Sequence, residues 1–414
     1  MSVYLIIIVA AYIVVTAFSY WLDFLNLAHM KRYGSTIPEE FEGYIDRALL
    51  SRTCDYNVEH TKFGFVSSAF DKVVTLLFIF VLLNIYNSWI VSLNISFILT
   101  GLLFFILLTY AGTLISMPFS LYNTFKIENK YGFNTMTFKL WVMDTIKSLV
   151  ISTVIMALLI SAALFLIQKS PDRWWLWVWS FFLAFEIFMM YISPYVIEPL
   201  FHKFTPLEDE ELESGIRDMM EKAEIHVSRI FKMDASKRTK HTNAYFTGIG
   251  KVKRIVLYDT LVEKMDRDEI LSVLAHEVGH WKKKHILKRI VQIEVIALVA
   301  IYAAWYLLQS EFLIELFSID TSSFFAKLVL LSFIAGILSF PFGPIFNWIS
   351  RKHEDEADRY SFDLTRNGES MISALVKLSK DNLSNLHPHP LYALFHYSHP
   401  PVLERIRKIR KFGE

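Results

Sequence analysis

Residues 328–358 read LVLLSFIAGILSFPFGPIFNWISRKHEDEAD, an uncharged stretch that passes without a break into a dense run of charges. As a helix, positions 328–348 are long enough to cross the roughly 30 Å hydrocarbon core of a bilayer. The charged continuation, 350–358, offers Glu354 and, one helical turn later on the same face, Asp358. A charged stretch leaving a membrane is ordinarily a solvated helix end. Two carboxylates in register acquire chemistry only if something cationic stands opposite them.

Six further stretches share the character of 328–348: residues 3–21, 73–90, 97–122, 149–167, 174–200 and 291–308. The composition agrees: 54% hydrophobic, 15% aromatic and 20% charged residues, with a mean hydropathy of +0.36, are too apolar for an ordinary soluble chain of 414 residues. Seven membrane spans are expected. The first has neither a basic residue before it nor a small-residue cleavage site after it, so it reads as a retained span and not as a signal peptide.

Lys and Arg are frequent in 23–71, 123–147, 201–289 and 351–414 and absent from 87–94, and the few in 168–173 and 309–327 lie next to a span. The positive-inside rule then places the first, third and fifth loops and the C-terminus in the cytoplasm. With a net charge of +1 and basic residues alternating with acidic ones, nucleic acid is not an expected partner. Cys54 is the only cysteine, which excludes an intramolecular disulfide and a cysteine-based metal site. The expected organisation is residues 1–200 as five spans with cytoplasmic loops, 201–290 as a hydrophilic insert, 291–349 as the last two spans, and 350–414 as a tail that packs with the insert.

That insert contains His276-Glu277-Val278-Gly279-His280. The preceding run 266–275 (DRDEILSVLA) opens with acidic residues and continues with apolar positions at helical spacing, so the motif is expected on a helix. There His276 and His280 project from one face and can grip one zinc ion, while Glu277 stands beside it as a general base for a water molecule that the metal activates. The pattern predicts metal-assisted hydrolysis, most naturally of a peptide bond. A catalytic zinc needs a third protein ligand and an open position. Glu354 is the candidate, with His353 as its rival, and Asp358 can fix the tautomer of a ligating histidine. A strand-like run at 243–246, with a second at 254–258, can offer an edge to an extended peptide. His285, five residues past His280, reads as a solvated side chain pointing away, and the tract His387, His389, His396 reads as loop structure around prolines. Glu186, inside a span, points to a polar interior.

HEVGHW (276–281) and SRKHEDEAD, two spans apart, resemble the CAAX prenyl protease 1 family of integral-membrane zinc metallopeptidases. The similarity extends to FKIENKYGFN (125–134), SPYVIEPLFHKFTPL (193–207), SKRTKHTNAYFTG (236–248) and HYSHPPVLER (396–405), nearly the whole chain. The resemblance implies an all-α polytopic membrane protein whose seven helices form a barrel around a water-filled chamber, with a small α+β metallopeptidase domain of gluzincin type closing one end. It implies one Zn2+ per chain held by His276, His280 and Glu354, Glu277 as the base, and His353 as a non-ligand. It further implies Asp358 behind a ligand, Asn243, Ala244 and Tyr245 against the substrate, and His399 and Arg405 near the reacting carbonyl.

The implied reaction is endoproteolysis beside a lipidated cysteine, releasing the last three residues of a CAAX-type substrate, in the bacterial inner membrane or the endoplasmic reticulum. Membrane lipids are the other expected partner. Two alternatives remain at this point: a quality-control metalloprotease acting on unlipidated membrane proteins or peptides, and a non-enzymatic transporter or scaffold with structural zinc. A structural site is usually closed by four ligands, which disfavours the latter.

Overall fold

The computed structural model describes residues 2–247 and 253–413. The seven expected spans fall on seven long helical stretches: Val3–Tyr33, Arg47–Ser92, Phe97–Glu128, Phe138–Lys169, Trp174–Phe201, His285–Leu308 and Phe324–Thr365. Each packs on the next in chain order, and the seventh returns to the first, so the helices close a ring. None of the residues in the apolar window of the sixth helix is buried, and only 6% are in the fourth and fifth. Helices that touch neighbours sideways and bury so little on either face form the wall of a hollow barrel, not a solid bundle.

Several of these helices outrun the bilayer. The second begins at Asp46, whose side chain caps it by accepting from the Leu49 amide, although its apolar stretch starts only near residue 73. At 1.5 Å per residue the extra length is about 40 Å. Its middle contains a π segment, Phe78–Leu82, and the third helix ends in another, Asn123–Glu128. The seventh is jointed: Phe324–Ser339, a 3-10 turn at Phe340–Phe342, then Gly343–Thr365 with proline in its first turn. Glu186 on the fifth helix faces Glu294 on the sixth, so the polar group inside the span meets another carboxyl.

At one end of the barrel stands a four-stranded sheet made of β1 (Phe204–Pro206), β2 (Val227–Met233), β3 (Ala244–Thr247) and β4 (Lys253–Tyr258) in the order β1-β2-β4-β3. β2 and β4 are parallel; β1 and β3 run antiparallel to their neighbours. Of the two strand-like runs, 243–246 therefore lies at the edge, whereas 254–258 belongs to an interior strand whose backbone groups are already paired on both sides. The sheet packs on helix Glu210–Lys222 and on helix Arg267–Lys282, which carries HEVGH; Ile216, Ile255, Leu257, Leu274 and Val278 are fully enclosed and Ala374 of the tail joins them. A second core unites the first loop with the tail: Phe41, Ile45 and Leu50 against Met371, Ile372, Ile406 and Ile409. The histidine tract docks on the first helix and the turn after it: the His389 amide donates to Asn26 and His387 Nε2 lies 2.8 Å from the Thr36 carbonyl. The tract is not all loop, since His389 caps a short helix, Pro390–His396, that ends in His396.

Candidate active site

The helix that carries HEVGH, Arg267–Lys282, starts in a capping box: the Glu269 amide donates to Asp266 Oδ1 at 3.0 Å and the Asp266 amide to Glu269 Oε2 at 2.9 Å. Glu269, almost wholly buried, also takes Ser373 Oγ and Lys377 Nζ at 2.6 Å each, which ties this helix start to the tail. Its far half lies against Gly343–Thr365, the outer piece of the seventh membrane helix, and Ser361 Oγ donates to the Ser272 carbonyl at 2.9 Å. Gly279 makes the approach possible. A Cβ there would stand 2.9 Å from Ala357 Cα and 3.0 Å from its carbonyl oxygen, with backbone atoms that cannot swing aside.

This contact brings Glu354 to the histidines. His276 Nε2 and His280 Nε2 are 3.1 Å apart, and each lies 3.2 Å from an oxygen of Glu354. Among the described residues these three form the one group of donor atoms able to share a metal, all within 4.8 Å of one another. Its chemistry fits zinc: two imidazole nitrogens and a carboxylate. Glu354 Oε2 is buried without a hydrogen-bond partner, an orphaned acceptor that a cation would satisfy. Burial lowers the pKa of His276, yet Asp358 and Glu354 outweigh it and lift the value to about 9; the pocket favours positive charge. Glu277 stands beside the cluster. Burial raises its pKa, with the nearby imidazoles pulling the other way.

Behind the cluster, Asp358 Oδ1 lies 2.8 Å from His276 Nδ1. Arg405 grips both Asp358 oxygens, Nε to Oδ2 at 2.9 Å and a terminal nitrogen to Oδ1 at 2.6 Å, leaving its other terminal nitrogen 4.0 Å from Glu354. His399 Nε2 is 3.3 Å from Glu354 Oε1, and its side chain is 63% exposed. His353 takes no part in the cluster: its ring stacks on His285, centroids 4.1 Å apart. Asn243 is exposed at the head of β3, Ala244 is buried, and Tyr245 donates to Glu198 at 2.9 Å.

The reading of His285 as a solvated side chain is overturned. It is buried, its Nδ1 lies 3.0 Å from His280 Nδ1, and its Nε2 lies 3.0 Å from Glu356. The reason is local. The zinc helix ends at Lys282, and Lys284, left-handed at φ 56°, turns the chain before a new helix starts at His285. Counting five residues along one continuous helix therefore aimed the ring in the wrong direction. No histidine spacing signals this; three consecutive lysines after the motif were the only hint of a helix end.

A ring of membrane helices capped by a His-His-Glu cluster with a glutamate beside it defines an integral-membrane zinc metallopeptidase. Residues 26–203 match the family described as CAAX prenyl protease N-terminal, five membrane helices, and residues 206–412 match peptidase family M48. CAAX prenyl protease 1 of Saccharomyces cerevisiae is 32% identical over 93% of this chain and 91% of its own, and the homolog of Arabidopsis thaliana 31% over 97% and 96%. A Bacillus subtilis protein described as uncharacterized metalloprotease YhfN is 30% identical over 97% and 95%. The crystal structure of S. mikatae Ste24p superposes with a TM-score of 0.92 at 32% identity, over 99% of both chains. The chain belongs to the CAAX prenyl protease 1 family of M48 zinc metallopeptidases. It is an enzyme, and the transporter or scaffold alternative falls.

Proposed function

We propose that this enzyme hydrolyses a peptide bond near the C-terminus of CAAX-type prenylated proteins, with its zinc end facing the cytoplasm. The observation that carries the reading is the three-member cluster with an unshared glutamate next to it, at the mouth of a membrane barrel. In this reading His276, His280 and Glu354 hold the ion, which when bound polarises a carbonyl and acidifies water. Glu277 accepts the proton, one residue from a ligand and free of it. Asp358 accepts from His276 Nδ1–H, so that Nε2 faces the cluster, and Arg405 holds Asp358 in place. His399 and the unshared Arg405 nitrogen offer donors where negative charge develops on oxygen. β3 presents a free edge to which an extended substrate adds by backbone hydrogen bonds, with Asn243, Ala244 and Tyr245 at its head.

The substrate class rests on the relatives described as CAAX prenyl proteases. Each methylene of a prenyl chain gains about 0.8 kcal/mol on burial, so bilayer and barrel wall concentrate such a substrate. The Lys and Arg distribution supports the cytoplasmic orientation. Residues 201–290 and 350–414 act in this reading as one catalytic unit around the spans at 1–200 and 291–349. The Bacillus subtilis relative, described only as a metalloprotease, favours the second reading, cleavage of unlipidated membrane proteins. Purified wild type and Glu277→Ala are compared on a farnesylated CAAX peptide, its unmodified twin and an unfolded membrane protein, with zinc measured in both proteins. Glu277→Ala is expected to keep its zinc and lose at least a hundredfold in kcat. Equal activity removes Glu277 from the mechanism, and preference for the unfolded protein moves the substrate to the second reading.

A further inference from the structure

The segment that leads into β3 is fastened to the membrane helices by a polar junction at Glu128. The third membrane helix does not stop at the end of its regular part, Phe97–Tyr122, but continues as the π segment Asn123–Glu128. A π turn carries an extra residue and re-aims the side chains that follow, a device frequent at functional sites. Here it delivers Glu128 to the junction. Glu128 Oε1 accepts from Tyr56 Oη at 2.9 Å and lies 2.9 Å from His60 Nε2, both on the second helix; Oε2 lies 3.5 Å from His241 Nε2. The Glu128 carbonyl accepts from the amides of Phe133 and Asn134 at 2.8 and 3.2 Å.

Three further contacts hold His241, whose side chain is 37% exposed. Its Nδ1 lies 2.7 Å from Asn382 Oδ1 of the tail, Phe133 stacks on its ring with centroids 4.2 Å apart, and its carbonyl accepts from Thr260 Oγ1 at 2.8 Å. Just before it, Thr239 bridges to Asn134, Lys240 donates its amide to the Phe133 carbonyl at 3.0 Å, and Arg238 grips Asp144 of the fourth helix at 2.8 and 3.3 Å. Two residues after His241 comes Asn243, exposed, at the head of a strand that pairs, among the described residues, on one side only. None of these groups belongs to the metal cluster.

We propose that Glu128 and His241 are positioning residues, which set the register and distance of the substrate edge relative to the barrel. The inference rests on the reading of β3 and Asn243 as the substrate-contacting edge. A staple that only held the domain together would have no reason to converge two residues from Asn243; the fourth helix already supplies one through Asp144. An edge that donates and accepts backbone hydrogen bonds must be placed within a few tenths of an ångström, and a strand with one neighbour cannot place itself.

The test uses the full-length enzyme in detergent. Glu128→Gln keeps the shape and removes the charge, and is measured alone and with Asn243→Ala, alongside Asn243→Ala by itself. Expected are a roughly tenfold loss in kcat/KM carried mainly by KM, unchanged zinc content and thermal midpoint, and little further loss when Asn243→Ala is already present. Glu128→Asp is expected to recover part of the loss. Asn382→Ala, which reaches His241 from the tail, is expected to show the same split and serves if Glu128→Gln does not fold. Unchanged kcat/KM, additive losses with Asn243→Ala, or a loss in kcat that tracks a lowered thermal midpoint would overturn the proposal. Asn243→Ala alone in the same assay separates the two readings: if it leaves kcat/KM unchanged the substrate edge is misread, and if it raises KM while Glu128→Gln does not, only the positioning role falls.

Discussion

Within the apolar window of the sixth membrane helix no residue is buried, whereas Leu274, Ala275 and Val278, on the helix that carries HEVGH, are wholly enclosed. The two regions solve different problems. A barrel wall needs only neighbours on its flanks and a solvent or lipid that accepts its apolar faces. A metal cluster needs three side chains from two helices held to a few tenths of an ångström, which only dense packing provides. Changes in one region should therefore be felt at the cluster, and changes in the other should be tolerated.

Five substitutions can break or sharpen that contrast. Glu354→Ala is expected to weaken zinc binding by more than about 100-fold, and His353→Ala by far less, because its ring stacks outside the cluster; the reverse order in metal titration would mean that the third ligand is misassigned. His285→Ala should cost roughly 10–100-fold in zinc affinity by releasing His280 Nδ1, and an affinity equal to wild type would reduce His285 to a packing residue. Gly279→Ala should lower stability by about 2 kcal/mol as the new Cβ meets Ala357; a thermal midpoint at the wild-type value would show that the two helices can part freely. Val299→Ala, at an exposed position on the sixth helix, should stay within about 0.5 kcal/mol of wild type. A large loss there would mean that the wall is as tightly packed as the catalytic end.

What was legible in the chain follows the same division. Spans show because the bilayer imposes a length and a composition on them. His276 and His280 show because a helix face is a spacing rule, whereas Glu354 is separated from its rival His353 only by family likeness; the fold brings the three together. The outer part of the second helix, 47–72, escaped notice because its charges end the apolar signal while the helix goes on. His285 escaped because one left-handed residue, Lys284, redirects it. Of two strand-like runs, pattern alone did not say which was the edge; pairing partners decide that, and they are distant in sequence. Asn243, His399 and Arg405 were drawn from family likeness, since an asparagine before a strand and a histidine before two prolines carry no chemistry by themselves.

One feature of the seventh helix bears on how such an enzyme survives in a fluid bilayer. The same continuous stretch crosses the lipid and ends in Glu354 and Asp358, so as a stiff rod it would act as a lever, turning each change in bilayer thickness into a displaced carboxylate. The 3-10 turn at Phe340–Phe342, which contains Pro341 and is followed by Gly343 and Pro344, interrupts the lever within the span, before the charged part that carries Glu354 begins. The break gives the inner segment an axis of its own while the outer one lies against Gly279, so Glu354 and Asp358 need not follow the tilt of the inner half.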